Sequence, residues 1–108
     1  MITVDVFKNK QGMVVGYKVS GHAGFGEEGN DIICSAISAL TQAPLLGLEK
    51  HLKLKPSYDV NQEDGILEVA LNSAPNDLTE AILVTMVYGV ESIARQCPQY
   101  VRIKEHRR

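Results

Sequence analysis

Residues 20–40 read SGHAGFGEEGNDIICSAISAL, and across them the spacing of apolar residues changes. Before residue 20 apolar and polar side chains alternate in steps of two, the period of a strand with one buried face. Ile2, Val4 and Val6 alternate with Thr3, Asp5 and Phe7, a turn-like Asn9-Lys10-Gln11-Gly12 follows, and a second alternating run fills 13–20. Two such runs around a turn predict a β-hairpin. From residue 31 onward Ile33, Ile37 and Leu40 fall on one helical face, with Ile32, Ala36, Ala39 and Ala43 beside them. Between strand and helix lie Gly21, Gly24, Gly26 and Gly29, together with His22, Phe25 and two glutamates.

Further along the chain the same alternation of periods recurs. The helix is predicted to run toward Lys50, with Pro44 kinking it or opening a new turn. Residues 52–60 read as a strand whose Pro56 implies an edge position or a bulge. Asn61-Gln62-Glu63-Asp64-Gly65 supplies a turn, and 66–71 alternate again. A second helix is predicted with Asp77 as its cap and Glu80 three residues later. Leu78, Ile82, Met86, Val90, Ile93 and Cys97 form its core face before Pro98 stops it, and 100–105 close the chain as a fifth strand. The order ββαββαβ predicts an α+β fold, two helices on a largely antiparallel five-stranded sheet, in a single domain over 1–108.

The 108 residues are 44% hydrophobic and 22% charged with a net charge of -2, ordinary values for a soluble globular chain. That balance argues against a nucleic-acid partner held by charge. Arg102, Lys104, His106, Arg107 and Arg108 read as a solvated strand and tail. Met1 leads straight into the first strand without a targeting segment, and no apolar run reaches the roughly 18 residues of a membrane span, so a cytoplasmic location without a membrane partner is expected. In that reducing compartment Cys34 and Cys97 are expected as free thiols.

With Asn30 or Asp31 as N-cap, Cys34 falls in the first turn of the helix, where unsatisfied N–H groups and the dipole favour an anion. A thiol there is biased toward the nucleophilic thiolate. His22 stands just past the second strand, and a strand–loop–helix connection brings the two ends of its loop side by side, making a Cys–His pair geometrically reasonable. In such a pair the thiolate attacks a carbonyl carbon and the imidazolium protonates the leaving amine. N–H groups near Cys34 and Ser35 are the expected oxyanion donors, so the acyl transfer needs no metal or cofactor. Gly21 and the other loop glycines permit positive φ and the rearrangement of a lid over an extended peptide. Asp31 caps the helix or orients His22. Ser38, one turn beyond Cys34, lines the cleft or bonds back into its own helix.

The blander readings make Cys34 a buried small hydrophobe, as Cys97 is expected to be, and leave His51 and His106 exposed. Phosphate binding fails for want of a Gly-Lys-Ser/Thr ending beside Glu27 and Glu28, and one Cys with one His is too few for zinc. Two further classes are a binding protein whose glycine loop only docks a partner, and a redox sensor, against which the lack of a nearby resolving cysteine counts.

The run Gly21-His22-Ala23, then Gly29, then Asp31-Ile32-Ile33-Cys34-Ser35-Ala36-Ile37-Ser38 resembles the signature of the ribosomal-processing cysteine proteases, with Ser35 where that family commonly has alanine. Length and element order agree, so the resemblance covers essentially the whole chain. It implies a catalytic dyad of His22 and Cys34, supporting roles for Asp31, Ser38 and Gly21, a mobile glycine-rich loop and a homodimer. The implied substrate is the N-terminally extended precursor of large-subunit ribosomal protein twenty-seven, cut after a pair of aromatic residues. The alternative on the same fold is a non-enzymatic ribosome-assembly protein.

Overall fold

The computed structural model describes residues 1–21 and 30–108. β1 (Ile2–Lys8) and β2 (Val14–Ser20) form the expected hairpin. Asn9 builds its turn, with Oδ1 accepting from the N–H groups of Gln11 and Met13, each at 3.0 Å, while Gly12 takes a φ of 83°. Then follow α1 (Asn30–Leu46), a π-helical turn (Gly47–His51), β3 (Ser57–Asn61), β4 (Ile66–Ala70), α2 (Asp77–Gln96) and β5 (Val101–Arg107). This is the α+β architecture read from the pattern.

The strands lie in the order β3-β4-β2-β1-β5. Three pairings are antiparallel, and β5 returns through α2 to lie parallel to β1. Cross-strand register places Val4 opposite Val19 and Ile103, and Tyr17 opposite Val6 and Val69, so one face of the sheet carries the core. Ile37, Leu48, Leu83, Met86, Val87 and Val90 close over it from the helices. Tyr17 sits beneath α1 with its hydroxyl donating to the Thr41 carbonyl over 2.6 Å. Desolvation pushes its phenol far above the ordinary range, which keeps it a neutral donor. The opposite face bears a row of charges in register, Asp59, Glu68, Lys18, Asp5 and Lys104.

Several expectations need correction. The third strand begins at Ser57 rather than at residue 52. The N–H groups of Leu52 and Leu54 bond to the carbonyls of Gly47 and Leu48, Lys53 adopts a φ of 59°, and Pro56 has no N–H, so this segment cannot supply a ladder. Pro56 does precede an edge strand, as expected. The cap of α2 is Asn76 rather than Asp77; its side chain accepts from Leu78 and Thr79, and Thr79 Oγ1 accepts from the Asn76 N–H. Glu80 instead accepts from the N–H of Val14 at 2.7 Å, tying α2 to the start of β2. The buried face of α2 is Thr79, Leu83, Met86, Val87 and Val90, while Leu78 is 62% exposed.

α1 passes through Pro44 without ending and widens into the π turn three residues later. Together, Ile32–His51 have a mean hydropathy of 1.4, long and apolar enough for a membrane span by length and composition, which a search for an unbroken apolar run overlooks. Their inward face, including Ile37, Thr41 and Leu48, is packed against the sheet.

Two substitutions separate these contributions. Asn76→Ala is expected to lower the unfolding free energy by about 1 kcal/mol through loss of the cap. Leu83→Ala is expected to cost about 2–5 kcal/mol through a core cavity. Urea unfolding followed by circular dichroism measures both, and equal costs contradict the assignment.

Candidate active site

β2 ends where Gly21 takes a φ of 90°, a conformation that costs a side-chain-bearing residue strain. A Cβ at that position would also collide with the carbonyl oxygen of Met1. Gly21 is thus required for the chain to leave the sheet beside the start of β1. His22 follows it directly and, with residues 23–29, lies outside the described residues, as do the expectations resting on the glycine loop.

Asn30 is the first residue of α1. Asn30 and Asp31 are therefore helical residues rather than the cap, and the Asp31 side chain is outside the description. A helix opening at Asn30 puts Cys34 at its fifth position, just past the first turn. By helix geometry the N–H groups of Cys34 and Ser35 then bond back to the carbonyls of Asn30 and Asp31. They are committed within α1 and do not serve as the expected oxyanion donors.

Cys34 itself is a free, half-buried thiol packed at the rim of the core cluster. It borders an open cavity of about 280 Å³. Gly21 and Ser38 border the same cavity, so three of the sequence-selected residues converge there. Cys97, by contrast, is the C-cap of α2, its N–H donating to Ile93 and its carbonyl accepting from Tyr100 and Val101.

The far wall of the cavity was not foreseen from sequence. Val60, Asn61 and Gln62, with Ile66 and Leu67 across the turn, face α1 over the gap. Register explains it: Val60 pairs with Leu67 and Leu67 with Val19, one row on the helix side of the sheet, and at β3 that row runs out from under the helices. Val60 is accordingly 51% exposed and Tyr58, in the adjacent row, 56%. The signal available in sequence was the alternation of Tyr58 and Val60, uninformative without the strand order.

Polar groups are distributed unevenly around this space. Thr41 is buried and its hydroxyl donates to the Ile37 carbonyl at 2.7 Å, so it is occupied within α1. Gln42 Nε2 donates to Ser38 Oγ at 2.6 Å on the exposed side. Away from the cavity His106 pairs with Asp5 at 2.7 Å and His51 is exposed in the π turn. Among the described residues no three His, Cys, Asp or Glu side chains gather into a metal-sized group. The arrangement places a thiol at the edge of an open cleft large enough for peptide side chains.

Comparison with known proteins agrees with this geometry. The family model described as cysteine protease Prp matches residues 1–102. The ribosomal processing cysteine protease Prp of Staphylococcus aureus is 28% identical over 103 residues, covering 95% of this chain and 97% of that protein. The crystal structure of the S. aureus protease with a covalently linked product peptide superposes with a TM-score of 0.88 at 27% identity, over 98% of this chain and 100% of that one. The same protease with a substrate peptide gives a TM-score of 0.89 at 26% identity, with the same coverage. With its thiol at the cleft and the family model spanning both helices and the start of β5, the chain belongs to the Prp family of cysteine proteases.

Proposed function

We propose that this protease removes the N-terminal extension of large-subunit ribosomal protein twenty-seven, with Cys34 as nucleophile and His22 as its acid–base partner. The observation that carries the reading is Cys34 on the wall of an open cavity whose opposite wall is an uncovered strand edge. A peptide ligand is supported by the S. aureus relative, named for ribosomal processing and crystallised with substrate and product peptides. Gly21 lines the cavity and is covalently joined to His22.

In this reading the thiolate of Cys34 adds to the scissile carbonyl, and His22 gives its proton to the departing amine. Water then hydrolyses the thioester with the imidazole as base. Asp31 orients His22, and Ser38 contacts the bound peptide. The apolar part of the cavity, with Ile37, Val19 and Leu67, takes a large apolar side chain of the substrate. The enzyme acts as a cytoplasmic homodimer. Ile32, Leu78 and Tyr88, which are 74%, 62% and 67% exposed on the two helices, support a covered surface there.

Two measurements test this. Incubation with the extended ribosomal precursor, followed by mass spectrometry, should show shortening by the native protein and a loss of at least about 10³-fold in Cys34→Ala and in His22→Ala. Unimpaired cleavage by either variant sinks the dyad. Sedimentation equilibrium should return twice the chain mass of 11.8 kDa, and a monomer at micromolar concentration contradicts the dimer.

A further inference from the structure

Ser38 and Gln42 occupy successive turns on the exposed side of α1, and both border the cavity that Cys34 borders. With Cys34, Ser35 and Ala39 they also line a shallow depression that continues along the outer face of the helix. A chain reaching the thiol along that face therefore runs past this pair.

The bond between them has a direction. Gln42 Nε2 donates to Ser38 Oγ over 2.6 Å, and an amide nitrogen carries hydrogens but accepts none. The serine oxygen is the acceptor, so its own hydrogen points elsewhere. A helical hydroxyl commonly returns that hydrogen to the carbonyl four residues back. Thr41 does so to Ile37 at 2.7 Å and Thr85 to Ala81 at 2.6 Å. Ser38 makes no such bond to Cys34, and Gln42 Oε1 has no partner among the described residues. The pair thus presents one O–H donor and one amide carbonyl acceptor to the space beside the thiol.

A peptide unit in an extended chain offers the complement, one carbonyl and one N–H. We propose that Ser38 and Gln42 hold the main chain of the substrate next to the scissile bond, with Gln42 acting as a positioning residue that turns the Ser38 hydroxyl outward. The ligand class is an extended polypeptide, recognised here by its backbone rather than by a particular side chain. This rests on the proposed peptidase reading and adds to it the element that sets the register of the peptide on Cys34.

The test is steady-state cleavage of the extended ribosomal precursor by the native enzyme, Gln42→Ala, Ser38→Ala, the double variant and Gln42→Glu, together with the rate of Cys34 alkylation by iodoacetamide. Each alanine variant should raise KM about three- to tenfold, the loss of roughly one hydrogen bond, with kcat nearly unchanged. The double variant should be no worse than the poorer single one, because the two residues act as a unit. Gln42→Glu should match Ser38→Ala, since a carboxylate only accepts and draws the serine hydrogen back onto itself. Alkylation should be unaffected throughout, as a small reagent does not use the backbone contact. A native KM in Gln42→Ala, additive effects in the double variant, a native KM in Gln42→Glu, or alkylation falling in step with turnover each overturns the proposal. A native enzyme that leaves the precursor intact instead removes the peptidase reading, and this proposal with it.

Discussion

The hydroxyl of Tyr17, buried at the centre of the sheet, donates to the Thr41 carbonyl of α1 over 2.6 Å. A buried phenol without a partner costs about 1–3 kcal/mol, so helix and sheet are held in a single relative position. Ile37, in α1 before Thr41, and Leu48, in the π turn after it, belong to the same buried core. Cys34 lies one turn before Ile37, and its place at the rim of the core follows from where this anchor puts the helix. A nucleophile needs such a fixed support, because displacement of about 1 Å from an attack geometry lowers rate steeply.

The cleft is a consequence of covering five strands with two helices. α2 packs toward the β5 side, and the two helices leave β3 uncovered on their own side of the sheet. At that margin Val60 and Leu67 face α1 across open space, and the missing packing is the cavity. An edge strand with bare backbone groups is ordinarily an aggregation hazard. The opposite edge, β5, meets that hazard with Lys104 and Arg107, the Lys8–Glu105 ion pair, the His106–Asp5 contact and Arg108 stacked 3.9 Å over Phe7. β3 instead leaves Tyr58 and Val60 exposed on the helix side of the sheet, in keeping with an edge kept open for a ligand.

The hairpin, both helices and the closing strand were legible because each carries a local period, and Gly21, Cys34 and Ser38 were legible because each belongs to one short stretch. What escaped were properties fixed by distant partners. Residues 52–55 alternate like a strand, yet the N–H groups of Leu52 and Leu54 are taken by carbonyls of the π turn. Thr79 is buried and Leu78 exposed because the Asn76–Thr79 capping box, rather than hydrophobicity, sets how α2 enters the sheet. The wall formed by Val60 and Gln62 depends on β4 pairing with β2, a long-range fact that no local pattern encodes. The start of α1 at Asn30 likewise moves Cys34 beyond the first turn and removes its own N–H from the list of oxyanion donors.

The central claim is that the thiol of Cys34 meets peptide carbonyls in this cleft and that of Cys97 does not. A peptidyl vinyl sulfone spanning the extension of the ribosomal precursor tests it, with the site of the adduct mapped by mass spectrometry on the folded chain and again in denaturant. One adduct per chain at Cys34, none at Cys97, suppressed by added precursor and lost on unfolding, is the predicted result. Equal labelling of the two thiols, or labelling of Cys34 that unfolding leaves unchanged, contradicts the claim.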